Sequence, residues 1–179
     1  AIDIDVRDAL TSPTFRTITK ITFVSEGEKE TFVDAIASAV HSITLNGESL
    51  NPEDVFADSR ISLTNLLANN TLIVEADFAY MNTGEGLHRF VDPVDNEVYL
   101  YSQFEVPDSR RVFAVFEQPD LKATFQFTVH APGHWRVISN QAAEGSEAGE
   151  GGATWFFSPT PRISSYITAV IAGPYEQVS

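Results

Sequence analysis

The sequence predicts an all-β protein, an antiparallel β-sandwich or saddle of about eleven short strands with one short helical turn. Two observations carry this prediction. Apolar and polar residues alternate over many short segments, and turn residues separate these segments at the spacing of about 8–12 residues that is typical of antiparallel sandwiches. Neither an internal repeat nor a change in composition divides the 179 residues, so residues 1–179 are expected to form a single β domain.

In the first half of the chain, alternation predicts strands at residues 2–6, 15–24, 42–45, 61–63 and 71–80. Asn46-Gly47 is the strongest short signal for a hairpin turn, because both residues tolerate the positive φ angles that a tight hairpin needs. Residues 31–40 remain ambiguous. Phe32, Ile36 and Val40 fit helical spacing, whereas residues 31–33 could begin a strand.

In the second half, the same pattern predicts strands at residues 87–91, 97–101, 123–130, 135–139, 154–157 and 166–172. The 92–96 segment, Asp-Pro-Val-Asp-Asn, has the composition of a hairpin turn. The segment 144–152 is rich in Gly and Glu and is expected to be a loop with solvated acidic side chains, namely Glu144, Glu147 and Glu150.

The stretch 99–123 departs from simple alternation. Its opening strand should stop at Pro107, which has no N–H to donate, and Asp108 should cap a short helical turn. Gln103, Phe104 and Glu105 lie between strand and turn. Because strand ends are where a rigid scaffold usually presents functional groups, Gln103 and Glu105 are candidate binding residues, and residues two apart on a strand share a face.

Charge and composition exclude several classes of function. Eleven Lys and Arg against 25 Asp and Glu give a net charge of −14, which repels phosphate backbones and argues against nucleic acid as a partner. The absence of cysteine excludes disulfides and thiolate metal sites and fits a reducing cytoplasm. No apolar run reaches the roughly 20 residues of a membrane span, and no signal peptide begins the sequence. A cytoplasmic protein without a membrane partner is therefore expected.

No zinc site is expected within the chain. His130 and His134 are four residues apart, as in the zinc motif H-E-x-x-H, but Ala131 replaces the glutamate and Pro132-Gly133 prevents the helix. A Glu105–Glu117 pair could be proposed as the two carboxylates of a glycosidase, although nothing in the sequence fixes their separation.

The stretch YLYSQFEVPDSRRVFAVFEQPDLKA (99–123) resembles the N-terminal domain of the M1 (gluzincin) family of zinc aminopeptidases, the aminopeptidase N group. The family pattern is roughly Q-x-E, then D-A-R-R-x-F-P-C-F-D-E-P-x-x-K-A. The matching residues are Gln103, Glu105, Asp108, Arg110, Arg111, Phe113, Phe116, Pro119, Lys122 and Ala123. Ser109, Ala114-Val115 and Glu117-Gln118 depart from it. Residues 159–175 resemble the strand that closes this domain in the family.

The resemblance implies roles for two residues. In the family, the glutamate of the motif helps to bind the substrate α-amine and the glutamine helps to line the first substrate pocket, so these roles fall to Glu105 and Gln103. A carboxylate suits the first role because it accepts charge-assisted hydrogen bonds from an ammonium and loses them with a neutral peptide. Arg110 and Arg111 are expected to hold the turn through bidentate contacts with Asp108 and Glu117.

The resemblance also implies that catalysis belongs to another domain. That domain holds the zinc in an H-E-x-x-H motif and carries a G-A-M-E-N segment, and neither pattern occurs in this sequence. The chain is thus expected to be the N-terminal domain of an aminopeptidase, inactive and without catalytic residues of its own. Its partners would be the peptide N-terminus and the catalytic domain of the same polypeptide. The alternative is a stand-alone β-sandwich that binds protein or carbohydrate.

Overall fold

A computed structural model of the chain describes residues 1–149 and 151–176. Its fold is all-β, as predicted. The strands are β1 (Ile2–Asp5), β2 (Thr14–Val24), β3 (Glu30–Asp34), β4 (Ala39–Leu45), β5 (Glu48–Leu50), β6 (Phe56–Ala57), β7 (Arg60–Thr64), β8 (Asn69–Ala79), β9 (Gly86–Val91), β10 (Val98–Gln103), β11 (Phe127–Ala131), β12 (Arg136–Ser139), β13 (Ala143–Gly149), β14 (Gly152–Phe157) and β15 (Val170–Gly173). A short helix, α1 (Pro52–Val55), and 3₁₀ turns at Ser109–Arg111 and Ser165–Ile167 complete the described secondary structure.

Three sheets are formed by the described residues. The largest has eight strands in the order β13-β14-β11-β1-β2-β8-β4-β5, the second has the order β12-β15-β10-β9, and the third β3-β7-β6. Pairing is antiparallel throughout except between β1 and β11, which run parallel. The centre of the large sheet is the β2–β8 pair, which stays in register over eleven residues of each strand.

One cluster of buried apolar side chains joins the inner faces of all three sheets. On the inward face of β8, Leu72, Val74, Ala76 and Phe78 are all buried, and Tyr80, just beyond the strand, is partly buried against the core. Phe113 and Trp135 lie in the core, whereas Phe116 and Trp155 are only partly buried against it. The sandwich arrangement therefore follows from alternation, which gives each sheet one apolar face to cover.

The predicted number of about eleven strands was too low, because β3, β5, β6 and β13 lack a clear alternating pattern. The ambiguous segment 31–40 is resolved as β3 followed by the start of β4. The prediction of a loop at 144–152 was wrong: β13 is an edge strand that pairs with β14 through its backbone while every one of its residues stays exposed. Glu144 and Glu147 lie on β13, and Glu150 lies outside the described residues.

The strand predicted at 123–130 begins only at Phe127. Phe125 instead exchanges hydrogen bonds with Thr160, whose side chain accepts from the Phe125 N–H at 3.0 Å and whose N–H donates to the Phe125 C=O at 2.8 Å. Ala123 exchanges two backbone hydrogen bonds with Ile163, of 3.1 and 3.0 Å. The backbone groups of Ala123 and Phe125 therefore face the segment 160–163 and not β1. Within the described residues, no helix has the length and apolar composition of a membrane span.

An ion cluster spans β2, β8 and β4 on the outer face of the large sheet. Arg16 donates to Asp77 at 2.7 Å and to Glu75 at 2.8 Å, and His41 Nε2 lies 2.7 Å from Asp77 Oδ2. The hydrogen bond from Arg16 lowers the pKa of Asp77, with a smaller contribution in the same direction from His41. The ionised carboxylate is therefore stabilised in the folded chain.

This shift predicts how Asp77 contributes to stability. Because the folded pKa is depressed, the contribution is fully present above the unfolded pKa of about 3.9 and is lost as the pH falls through the folded value. Asp77→Asn should lower the free energy of unfolding by about 1 kcal/mol at neutral pH. Denaturant titrations of both proteins from about pH 7 to about pH 3 should show that the difference between their free energies of unfolding becomes smaller as the pH falls. A difference that is independent of pH would contradict this assignment.

Candidate functional site

Gln103 and Glu105 lie at the open end of the four-stranded sheet. Gln103 is the last residue of β10 and pairs with Gly86, the first residue of β9. Both candidate side chains are exposed, while Phe104 between them is 2% exposed and meets the Phe113 ring edge-on at 5.9 Å between centroids. The buried Phe104 ring thus anchors the backbone between Gln103 and Glu105.

The expectation that Gln103 and Glu105 share one strand face was wrong, because β10 ends at Gln103 and Glu105 belongs to the following turn. The two residues are joined differently. The side-chain Oε1 of Gln103 accepts a hydrogen bond from the backbone N–H of Glu105 at 2.6 Å. This bond sets the direction in which the chain leaves the strand, and the amide nitrogen of Gln103, which has no partner among the described residues, can donate to a ligand.

Arg111 connects the turn to the neighbouring strand. Its Nε donates to Asp108 Oδ1 at 2.6 Å, and its Nη2 lies 3.2 Å from Glu85 Oε2. Its stem passes so close to Gly86 that a Cβ at that glycine would lie 2.8 Å from the Arg111 Cβ. Gly86 also has a φ of +57°, a conformation that other L-residues rarely adopt, so glycine is required here on two grounds.

Asp108 precedes the 3₁₀ turn, but its side chain makes no capping hydrogen bond and instead holds Arg111. The predicted contact of the Arg110 guanidinium with Glu117 was also wrong. Arg110 Nε donates to the carbonyl of Pro107 at 2.9 Å, and Nη1 lies 3.7 Å from Asp34. Only the backbone N–H of Arg110 reaches Glu117, at 2.7 Å. The arginines hold the turn, as expected, by contacts other than the predicted bidentate pairs.

Glu117 is the centre of a hydrogen-bonded clamp. One carboxylate oxygen accepts from the buried hydroxyl of Ser109 and from the Arg110 N–H, and the other accepts from the buried hydroxyl of Ser165 at 2.7 Å. Ser165 begins the second 3₁₀ turn, just before β15. The clamp therefore ties the turn after Glu105 to a distant part of the chain. With three donors on its oxygens, Glu117 is structural, and the glycosidase pair has no support.

Glu105 contrasts with Glu117. Its carboxylate makes no hydrogen bond or ion pair within the described parts of the chain, and its side chain is exposed. Its backbone N–H is held by the side chain of Gln103, and the C=O of the preceding Phe104 accepts from the Asp108 N–H at 3.3 Å. An exposed carboxylate on a backbone held in this way can bind a cationic group.

The histidines are dispersed. His130 lies between Asp3, at 3.0 Å, and Thr154, at 2.9 Å, whereas His134 contacts Glu97 at 3.5 Å. His88 accepts from the N–H of Gly84 and stacks on Tyr101. Across residues 1–149 and 151–176, no group of three His, Cys, Asp or Glu side chains is placed to hold a metal ion. The described residues therefore do not fit a catalytic zinc.

Beside Gln103, the outward side of the four-stranded sheet carries a continuous apolar surface. Tyr101 lies between His88 and Ile171, and Ile138 lies beyond Ile171 in the same row. The next row pairs Tyr99 with Phe90, and Tyr175 packs edge-on against Tyr99. We call these seven residues the outer aromatic face. Sequence reasoning missed it, although the alternation of Tyr99 and Tyr101 with buried Val98 and Leu100 was a signal that both tyrosines point outward.

This all-β domain, with its acidic and amide side chains at one strand end, has recognisable relatives. Residues 3–167 match the model of the peptidase M1 N-terminal domain, and the chain belongs to this family. It is 58% identical to an aminopeptidase N of Streptomyces lividans over 179 residues, which cover 99% of the chain and 20% of that protein. An aminopeptidase N of Acetobacter pasteurianus is 31% identical over 61% of the chain and 32% of its own length. A probable aminopeptidase 1 of Sulfurisphaera tokodaii is 24% identical over 89% of the chain. The chain spans about a fifth to a third of the first two relatives.

The two glutamates should contribute very differently to the stability of the fold. Glu117→Ala leaves two buried hydroxyls and a backbone N–H without their acceptor and should lower the free energy of unfolding by about 2–4 kcal/mol. Glu105→Ala removes an exposed, unpaired side chain and should change it by less than about 0.5 kcal/mol. Urea unfolding of both variants beside the parent chain measures the two values. Equal effects would show that the clamp is not the support described here.

Proposed function

We propose that this chain is the substrate-anchoring domain of a zinc-dependent aminopeptidase, an enzyme that removes residues from the N-terminus of peptides. Glu105 binds the α-ammonium of the substrate, and Gln103 lines the pocket for its first residue. The observation that carries the proposal is the contrast between the two glutamates of the motif. All three hydrogen bonds of the clamp fall on Glu117, whereas Glu105 is exposed just past the strand end and its carboxylate has no partner in the described parts of the chain.

The physical basis is discrimination by charge. An exopeptidase must separate a free terminal amine from an internal amide, and the α-amino group has a pKa of about 7.7–8.0, so much of the substrate is cationic at neutral pH. An ammonium donates charge-assisted hydrogen bonds to a carboxylate, which an internal peptide nitrogen cannot replace. The free N–H of Gln103 adds a donor for a substrate carbonyl beside the bound amine.

The zinc that this family uses would be held by residues outside the chain, since the described part of the chain has no group fitted to it. When bound, zinc supplies the activated water that attacks the peptide bond. The chain's own contribution is to position the substrate amine. A cytoplasmic location is part of the proposal, in keeping with a sequence that contains no cysteine.

The partner of the outer aromatic face is the remainder of the same polypeptide, in which the catalytic domain would lie. Exposed Phe90, Tyr101 and Ile138, at 46%, 40% and 54%, form a connected apolar surface of the kind that marks an interface. Tyr101 and Gln103 are two residues apart on β10, so this surface is continuous with the amine site. A domain that covers it would place its own groups opposite Glu105. The relatives favour this over a stand-alone binding module, because the match occupies only part of each.

The amine site is tested in the full-length enzyme by Glu105→Gln, which keeps the shape and removes the charge. A lost charge-assisted hydrogen bond of about 1.5–3 kcal/mol predicts a fall in kcat/KM of about ten- to a hundredfold. The control is Glu48→Gln, an exposed glutamate on the edge strand β5, which should leave kcat/KM unchanged. Binding of a substrate analogue that lacks the α-amine should be the same in Glu105→Gln and in the parent. A variant with unaltered kcat/KM would refute the role of Glu105.

The interface is tested by Tyr101→Ser in two contexts. In the isolated chain the side chain is partly exposed, so Tm should fall only slightly. In the full-length protein the same change removes a side chain from the centre of a buried apolar contact and should lower the free energy of unfolding by about 2 kcal/mol or more. Leu67→Ser, at a residue that is 58% exposed between β7 and β8, is the matched control and should have a small effect in both. The same small shift for Tyr101→Ser in both contexts would mean that this face remains open.

A further inference from the structure

The large sheet contains a gap at its centre. β1 lies between β2 and β11, but it begins at Ile2, opposite Thr19, whereas β2 continues to Val24. Beyond Ala1 a cleft of about 360 Å³ separates β2 from the segment 121–125. Its floor is the segment 113–116, in which Phe113, Ala114 and Val115 are buried. We call this cleft the strand slot.

Both walls of the strand slot present backbone groups that have no hydrogen-bond partner in the part of the chain that the structure describes. Ala1 exchanges two hydrogen bonds with Lys20, each of 2.8 Å. Because successive residues of a strand direct their backbone groups to opposite sides, Ile21 faces β8 and Thr22 faces the slot. Ser25, which directly follows β2, confirms this alternation, since its N–H donates to the C=O of Ala68 on the β8 side.

The opposite wall shows the same pattern. Ala123 and Phe125 direct their backbone groups away from the slot, to Ile163 and Thr160. Thr124 and Gln126 therefore face it. The Gln126 C=O accepts from the Ile2 N–H at 2.8 Å, but the Gln126 N–H and both backbone groups of Thr124 have no hydrogen-bond partner in the described parts of the chain. Unpaired backbone groups on two facing walls are what a missing central strand leaves behind.

We propose that the strand slot is filled by an extended segment of the same polypeptide directly preceding Ala1, which continues β1 by up to about four residues, the remaining length of β2. The direction of β1 selects this occupant, because its N-terminal end opens into the slot already in register with both walls. A covalent continuation also avoids the loss of translational freedom that a separate peptide would suffer.

The register fixes what each added residue does. Ile2 and Ile4 point inward, so the first residue before Ala1 also points inward, over the apolar floor, and should be apolar. Its N–H reaches the Thr124 C=O, and its C=O accepts from the Gln126 N–H.

The second residue before Ala1 points outward and pairs with Thr22. It lies near the cleft residues Lys20, Lys122 and Arg162, and no acidic residue lines the cleft, so an acidic side chain suits this position. Burial lowers the pKa of the Ala1 ammonium, with a further contribution from Lys20, so an uncharged peptide bond fits this position better.

The test is to add four residues before Ala1 in two arrangements of identical composition. Thr-Val-Glu-Val places both valines inward and the glutamate outward, whereas Val-Thr-Val-Glu reverses the faces. The first extension should raise Tm by about 4 °C or more relative to the parent chain, and the second should not. Hydrogen exchange of the Thr124 and Gln126 amides should become slow in the first extension only.

The outcomes separate clearly. A rise in Tm together with protection of the Gln126 amide in the first extension alone supports the proposal. Equal Tm values for the two extensions, or a Gln126 amide that exchanges as fast as in the parent chain, would overturn it. The result is independent of the proposed enzymatic role, since neither measurement depends on Glu105 or on catalysis.

Discussion

The Glu117 carboxylate is the interaction on which the candidate site depends. It gathers the Ser109 hydroxyl and the Arg110 N–H from one 3₁₀ turn and the Ser165 hydroxyl from the other, so two segments far apart in sequence meet at one side chain. Around it, Phe104 is buried against Phe113, and Thr17 donates to the Val112 carbonyl from β2. The turn after β10 is thereby fixed to both layers of the sandwich, and a residue placed on it has a defined position.

This support explains how a short motif can contain acidic residues with opposite tasks. Asp108 and Glu117 are occupied by Arg111 and by the clamp, and they give the turn its shape. The Glu105 carboxylate has no partner in the described residues, so it remains available to the ammonium group proposed above. Tyr101 of the outer aromatic face lies two residues before Gln103 on β10, so the proposed amine site lies at the edge of the surface proposed to contact the rest of the enzyme.

The sequence predicted those parts of the fold in which burial produces a regular pattern. Alternation located β1, β2, β8 and β10, and Asn46-Gly47 correctly marked the β4–β5 hairpin, with φ angles of 54° and 88°. It failed for β13, whose residues are all exposed and whose pairing comes from the backbone alone. The parallel pairing of β1 with β11 could not be predicted from local patterns either, because it joins residues more than a hundred positions apart.

At the site, the family motif selected Gln103 and Glu105, but its internal contacts were not predictable from spacing. Ser165 lies 48 residues from Glu117, and only the folded sandwich brings them together. The requirement for glycine at position 86 was likewise not predictable, because it follows from the close approach of the Arg111 side chain.

The role proposed for Glu105 is best tested by a structure of the full-length protein with a bound amino-acid or peptide analogue that has a free α-amine. A Glu105 carboxylate oxygen should lie within about 2.7–2.9 Å of the amine nitrogen. The clamp at Glu117 should be unchanged. An amine bound entirely by other residues, with Glu105 pointing into solvent, would contradict this role.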